Sequence, residues 1–389
     1  MRERLRLTNE ILSAIKNAPV TAILGPRQCG KTTISKVIAQ KFKTTVFDLE
    51  DPLDYERLSK TAKLTLEPLK DLVIIDEIQR IPDLFKLLRV LSDKNGHGSK
   101  FLILGSASPD LIKNASESLS GRISFIDMSG FVLDEVESNE YTNLWIRGGF
   151  PRSFLAESEA ESYKWRENFI RTFLERDIPQ LGINIPMITL RRFWTMISHY
   201  HGQVWNGSEF ARAMGISEPT VRRYLDILTG AYVVRQVPPW FENVKKRQVK
   251  SPKIYIRDSG LLHVLLSLDD NKILSHPKVG SSWEGFVIEQ IISLTGSRDY
   301  YFWATHAGAE LDFLLFHKGK RIGFEIKNTD IPKVTKSMLI ASEDLGLDLL
   351  YVVYPGQITF QLSNNITAVS VADLKSFVLD GLLTKIWKN

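Results

Sequence analysis

The sequence predicts an α/β protein: an N-terminal parallel-sheet domain, a helix-turn-helix module followed by a β-hairpin, and a small mixed α/β domain. Three observations carry that prediction. The apolar run Val20-Thr21-Ala22-Ile23-Leu24 leads into a glycine-bounded loop and then a helix-compatible stretch, Thr33 to Gln40. A second apolar run, Leu72 to Ile75, ends in the paired carboxylates Asp76 and Glu77. Farther on, two strand-like stretches flank the turn Lys318-Gly319-Lys320. The expected boundaries are 1–185, 186–268 and 269–389.

In chain order, residues 1–19 read as an amphipathic helix beside the first strand. The loop after that strand is Gly25-Pro26-Arg27-Gln28-Cys29-Gly30-Lys31-Thr32, a complete G-x-x-x-x-G-K-[ST] sequence between a strand and a helix. The two glycines let the backbone turn around a phosphate, and the helix that Thr33 continues adds unpaired N–H donors and a positive dipole end. Residues Gly25 to Thr33 are therefore the expected cradle for ATP. Lys31 would reach the β and γ phosphates, and the Thr32 hydroxyl would ligate Mg²⁺.

Four apolar residues in a row at Leu72 to Ile75 suit a strand buried on both faces, and its C-terminal end is where parallel sheets bind ligands. Asp76 would hold Mg²⁺ through water, and Glu77 would orient or deprotonate the attacking water, which points to hydrolysis. Residues 44–50, Phe101 to Leu104 and Ile123 to Ile126 supply further strands, and Pro82 stands near the start of a helix carried by Leu84 to Leu91. Strands alternating with helices imply a parallel sheet.

With 389 residues the chain can form two or three domains, and 43% hydrophobic with 24% charged residues are ordinary globular values. One cysteine, Cys29, excludes an internal disulfide framework and fits a reducing compartment. No apolar run approaches a membrane-spanning length, and the start Met1-Arg2-Glu3-Arg4-Leu5-Arg6 has no apolar signal core behind it, so a cytoplasmic protein is expected. A formal charge of +5 permits nucleic-acid binding without demanding it.

Gly25-Pro26-Arg27-Gln28-x-Gly30-Lys31-Thr32-Thr33, then Asp76-Glu77-Ile78-Gln79, Leu104-Gly105-Ser106-Ala107-Ser108 and Glu117-Ser118-Leu119-x-Gly121-Arg122 together resemble a large prokaryotic family of AAA-type ATPases. The resemblance spans residues 1 to about 200. It implies that Ser106 is a sensor of the γ phosphate, although a serine there could equally cap the next helix. It also implies that Arg122 is an arginine finger, with Arg147 and Arg176 as rivals. A finger spreads its charge over the transferring phosphoryl oxygens and is often supplied by a neighbouring subunit, so a homo-oligomer is expected if it acts in trans. Residues 157–181 read as a long helix forming a lid.

The stretch Asn206 to Leu228 has the grammar of a helix-turn-helix: a short helix ending at Gly215, Ser217 as the next cap and Pro219 in the first turn. Thr220, Arg222 and Arg223 would then face DNA bases. Tyr232 to Val237 and Lys253 to Ile256 look like the strands of a wing, with Lys245, Lys246, Arg247 and Lys250 between them for phosphate contact. A rigid connector or a protein contact is the alternative role.

In Gly308 to Phe316 a strand bears Asp312, and after the turn Arg321 to Lys327 returns with Glu325 and Lys327 on one face, because strand side chains repeat every two residues. Such a hairpin could assemble carboxylates for Mg²⁺ and a lysine that polarises water. It resembles the PD-(D/E)XK nuclease core, and the resemblance assigns Glu284, on the preceding helix, as a further metal-site acid. Leu311 stands where the pattern often has proline. His199 and His201 have no zinc-like partners nearby, and residues 371–388 read as an amphipathic helix. Two readings follow: an ATP-hydrolysing DNA enzyme that also cuts, or a regulatory ATPase switch whose C-terminal half binds DNA or a protein without cutting.

Overall fold

A computed structural model of the chain describes residues 2–94, 98–106, 115–180, 183, 185–242 and 247–378. It divides into two compact units, Met1–Gly130 with Gly230–Tyr232, and Phe131–Thr229 with Val233–Asn389. No described helix is long and apolar enough to cross a membrane.

The first unit is built on strands β1 Val20–Gly25, β2 Thr44–Asp48, β3 Leu72–Asp76, β4 Lys100–Ser106 and β5 Ile123–Asp127 in the order β2-β3-β4-β1-β5. Every neighbouring pair is parallel. β1 and β3 are buried along their whole length, whereas the edge strands β2 and β5 are partly exposed, as their apolar and mixed sequences respectively require. The helix Leu84–Asp93 buries Leu84, Phe85, Leu88 and Leu91, one face at helical spacing, against a core that includes Val73, Ile75, Phe101 and Ile103. Because β4 alone separates β1 from β3, the loop after β1 and the carboxylates ending β3 emerge at the same end of the sheet.

The second unit begins with helices Tyr141–Arg147 and Glu159–Thr172, the latter running on through a π turn, Phe173–Asp177. These residues were expected to complete the nucleotide domain, but they pack within the second unit. The buried Arg166 guanidinium donates to the carbonyls of Ile146 and Gly260, each at 3.1 Å, and the Trp145 indole donates to Ser282 Oγ at 3.0 Å. A buried guanidinium must place its donors on such carbonyls, which ties these helices to their neighbours.

Next come helix Met187–His199, β6 Gln203–Val204, helices Gly207–Met214 and Glu218–Gly230, β7 Val234–Val237 and β8 Lys253–Ile256. The three strands form an antiparallel sheet in the order β6-β8-β7. As the sequence predicts, Gly215 ends the first short helix with φ +69° and the Ser217 hydroxyl accepts from Thr220 N at 3.4 Å.

Helix Val279–Thr295 and strands β9 Tyr300–Ala304, β10 Glu310–His317, β11 Lys320–Ile326, β12 Leu349–Tyr354, β13 Phe360–Ser363 and β14 Ile366–Ser370 follow. The sheet order is β13-β14-β12-β11-β10-β9, with parallel and antiparallel pairs. On either side of the expected wing tip, residues 238–240 and 247–249 lie along the edge strand β9. Trp240 N donates to Phe302 O at 2.7 Å, Phe302 N to Pro238 O at 3.0 Å, Val249 N to Ala304 O at 3.0 Å and His306 N to Arg247 O at 2.9 Å. An exposed strand edge is a row of unpaired backbone donors and acceptors, and these residues satisfy them. Of the expected C-terminal helix, Leu374–Ser376 is helical and a π turn continues it over 377–378, and Leu382, Leu383 and Ile386 lie outside the described residues.

Candidate functional site

The loop after β1 is shaped by two glycines with different duties. Gly30 has φ +102° and heads helix Lys31–Ala39, a conformation that strains any other residue. Gly25 is fixed by space, since a Cβ there would stand 2.1 Å from the Met128 carbonyl oxygen. No side chain caps the helix that follows, so its first-turn amides are available to an anion. The buried Lys31 ammonium donates to the carbonyls of Gly25 at 3.0 Å and Pro26 at 2.9 Å. Gln28 adopts a left-handed φ of +64°, Cys29 is fully buried and Arg27 pairs with Glu50 at 2.6 Å. Thr33 is exposed on the helix.

The two halves of the sequence signal meet directly. Thr32 Oγ1 donates to Asp76 Oδ2 at 2.7 Å, and Asp76 Oδ1 accepts from Glu77 N at 2.9 Å. A hydroxyl and a carboxylate in contact are an all-oxygen donor set that suits Mg²⁺. Glu77 sits in the left-handed region at φ +55° with its carboxylate bonded by the Gln79 amide. Burial raises the Glu77 pKa, opposed by Lys31 and by Gln79. A carboxylate so raised is better matched to taking a proton near neutral pH.

Ser106 ends β4 in register with Gly25, so its backbone is beside the loop. Arg122 lies elsewhere. Its carbonyl accepts from Val20 N at 3.1 Å, and Val20 starts the strand that Gly25 ends, so roughly 17 Å of strand separates Arg122 from the loop. The Arg122 side chain pairs with Asp93 and donates to the Ser120 carbonyl at 2.9 Å. Arg122 is thus outside its own subunit's phosphate site. Its rival Arg147 pairs with Glu159 and donates to Ala156 O at 2.8 Å, and Arg176 is exposed on the π turn.

Two contributors were not foreseen from sequence. Gln79 holds the Glu77 carboxylate, and Arg4 donates to the carbonyls of Cys29 at 3.4 Å and Gly130 at 2.9 Å, bracing the loop. Gln79 stands two residues beyond the acidic pair, a spacing that could have drawn notice. Arg4 offers no local signal, because its partners are up to 126 residues away.

In the helix-turn-helix, Arg222 and Arg223 are exposed, Arg222 pairing with Asp226 at 3.2 Å. The Thr220 hydroxyl is engaged by Ser217 at 2.8 Å. Arg247 is exposed, and Lys245 and Lys246 lie outside the described residues.

The C-terminal hairpin brings its expected residues together. Beyond the paired Phe313 and Phe324, Asp312 Oδ2 accepts from Ile326 N at 2.8 Å, and Lys327 Nζ lies 2.7 Å from Glu325 Oε1. Burial lifts Asp312, and it lifts Glu325 to about 7, with Asp312 adding to the rise and Lys327 opposing it. Glu325 Oε2 is buried without a partner, an orphan atom that suits a hard cation between Asp312 and Glu325.

The three-carboxylate metal set that includes Glu284 is not assembled: no group of three His, Cys, Asp or Glu side chains among the described residues is arranged to hold a metal. Instead Glu284 Oε1 accepts from Tyr255 Oη at 2.5 Å and lies 3.3 Å from Lys253 Nζ, and Lys253 also pairs with Glu310. The reason is burial, which raises Glu284 to about 7 against the pull of Lys253 and leaves it needing a counter-charge. Burial also disfavours the Lys253 ammonium, but its neighbours Tyr255, Glu284, Asp312 and Glu310 hold its pKa well above the ordinary lysine value. Lys253 and Tyr255 come from β8, and sequence reasoning read that strand only as part of a wing. The one signal was a lysine beside the apolar Ile254-Tyr255-Ile256.

Comparison with known proteins adds three domain matches. The AAA domain family matches residues 17–137, a domain of unknown function, DUF8612, matches 138–272, and a further one, DUF4143, matches 279–374. The chain is 50% identical over 368 residues to an uncharacterised protein of Mycobacterium bovis and, equally, to one of Mycobacterium tuberculosis, covering 94% of this chain and 83% of each relative. Among solved structures, a Walker-type ATPase of Pyrococcus abyssi is 15% identical at a TM-score of 0.47, covering 68% of this chain and 96% of that one. The RuvB Holliday-junction branch-migration motor of Thermotoga maritima is 18% identical at a TM-score of 0.31, covering 61% and 90% respectively.

Proposed function

Because this chain belongs to the family of those mycobacterial proteins and its AAA domain makes it a P-loop ATPase, we propose that it couples Mg²⁺-dependent ATP hydrolysis to DNA binding by its second unit. The observation that carries the catalytic half is the Thr32–Asp76 contact, which joins the phosphate loop to the acidic strand end. Lys31 would exchange the Gly25 and Pro26 carbonyls for phosphate oxygens. Thr32 and Asp76 would hold the magnesium ion, and Glu77, steadied by Gln79, would orient the attacking water and take its proton. Magnesium, when bound, offsets charge on the transferring phosphoryl group. Arg122 would serve a neighbouring subunit after release from Asp93, which makes a homo-oligomer the active form.

For DNA binding, the support is the order helix, strand, two helices and two strands around β6-β8-β7, which fits a winged helix with the exposed Arg222 and Arg223 on its second helix. The C-terminal mixed sheet fits a restriction-endonuclease-like domain, in which Asp312 and Glu325 would hold a metal ion and Lys327 would steady a phosphate or polarise water. One observation favours the second reading, a regulatory switch that binds without cutting: Lys253 already pairs with both Glu284 and Glu310.

ATP turnover measured with and without duplex DNA, on the intact chain and on Lys31→Ala, with the DNA recovered and examined for cuts, tests the proposal. Turnover that rises with DNA and disappears in Lys31→Ala supports coupling, and cutting lost in Asp312→Ala would assign the nuclease. Robust turnover indifferent to DNA would overturn it.

A further inference from the structure

A cleft of about 660 Å³ is lined by Val204, Phe241, Arg247, Gln248, Lys250 and His306 among others, none of them acidic. Arg247 and Lys250 are exposed, and neither has an ion pair or side-chain hydrogen bond among the described residues. Phe241 leaves 53% of its surface in solvent within the same concavity. Two unpaired cations beside a bare aromatic ring match a single nucleic-acid strand, whose phosphates take the cations and whose unstacked base covers the ring. A duplex keeps its bases stacked inside and offers a concave surface no face to stack on. The volume is that of a drug-sized ligand pocket, room for one or two nucleotides.

The cleft is preformed. Its wall is tied to β9 by the backbone bonds of Trp240, Val249 and His306, and the Gln248 side chain is fixed by Glu242 N at 3.0 Å, Glu242 O at 2.7 Å and Trp303 Nε1 at 3.0 Å. It also has a direction. Past Lys250 and Ser251 the chain reaches Lys253, which pairs with Val204 across β6 and β8 and whose ammonium lies on Glu284 and Glu310.

We infer that this cleft binds single-stranded nucleic acid and leads the strand to the cluster around Asp312 and Glu325. Binding stands on the cleft alone, while the role of the cluster rests on the nuclease-like reading above.

The test measures binding of labelled oligo(dT), oligo(U) and duplex DNA to the full chain over a range of salt. Phe241→Ala and the pair Arg247→Glu with Lys250→Glu are compared with Arg222→Glu plus Arg223→Glu. All five positions are exposed, and a thermal melt checks folding. Phe241→Ala should weaken single-strand binding about tenfold. The cleft double variant should lower the salt slope by roughly 1.4, at about 0.7 per lost phosphate contact. Duplex binding and basal ATP turnover should stay unchanged in the cleft variants, whereas the helix variants should weaken duplex binding and spare single-strand binding. Retention of oligo(U) binding alongside oligo(dT) supports a cleft that reads strand and base without regard to the sugar. Unchanged single-strand affinity in the cleft variants, or an equal loss of duplex binding, would overturn the inference. Duplex binding by a chain that ignores single strands sinks this inference alone, whereas failure to bind either sinks the DNA reading as well.

Discussion

In the first unit Lys31 rests on two backbone carbonyls, whereas in the second Lys253 is buried between carboxylates on β10 and on helix Val279–Thr295. The two lysines are both buried, but their partners leave them with opposite readiness. Neutral carbonyls are weak partners that an incoming phosphate outcompetes, because a charge-assisted bond is roughly twice as strong as a neutral one. Lys253 cannot leave without stranding Glu284, which is itself buried. The nucleotide site is poised for ligand, whereas Lys253 is already held by carboxylates.

That contrast is sharpened first by Lys31→Ala, for which hydrolysis should fall on the order of 10²–10³-fold, measured as phosphate release, with little change in unfolding midpoint. Glu77→Gln should lower turnover about hundredfold while a fluorescent ATP analogue still binds, separating the water-activating role from the cradle. On the other side, Lys253→Met should cost about 3 kcal/mol in urea unfolding, because it leaves a buried carboxylate unpaired. Lys327→Met, whose side chain is 40% exposed, should cost under about 1 kcal/mol. Equal losses in the two variants would break the contrast, since Lys253 would then be an ordinary partner.

Acid separates the same groups. His201 and His263 are held neutral, with pKa values brought by burial to about 3 and about 4. The ring of His201 accepts from Ile256 N at 2.9 Å, and His263 lies 3.0 Å from Ile146 O and 2.7 Å from Ser282 Oγ. Their depressed values stabilise the fold above the unfolded value of 6.5, and that stability is lost progressively as pH falls from 6.5 to the folded values of about 4 and about 3. Glu284 and Glu325, raised to about 7 from 4.5, act in the opposite sense, binding protons in the fold before the unfolded chain does. The two pairs therefore offset each other between pH 4.5 and 6.5. Glu325→Gln should remove part of the offset, so that unfolding free energy drops more steeply on acidification than in the intact chain, by up to about 1.4 kcal/mol per pH unit. An unchanged slope would place Glu325 in an ordinary solvated environment.

The same contrast explains what could be read from sequence. The nucleotide loop is contiguous, its strand, turn and helix are each dictated locally, and Asp76 announces itself at the end of an apolar run. Asp312, Glu325 and Lys327 were legible because strand alternation fixes which residues share a face. Lys253 and Tyr255 were not, since their role comes from β8 packing against the helix that bears Glu284, a long-range contact with no local pattern. The pairing of residues 238–240 and 247–249 with β9 has no local signal for a related reason, since their partners on β9 lie more than 50 residues further along the chain. Helices Tyr141–Arg147 and Glu159–Thr172 likewise give no local signal of their partners, and only the buried bonds of Arg166 and Trp145 reveal what they pack on.

The most direct measurement is the ratio of ATP turnover with saturating duplex DNA to turnover without it, in the intact chain and in Arg222→Glu plus Arg223→Glu. Coupling through the helix-turn-helix predicts a ratio well above one for the intact chain and near one for the variant, with equal basal rates. Stimulation that survives the variant, or an intact chain that hydrolyses ATP briskly and ignores DNA, would contradict it.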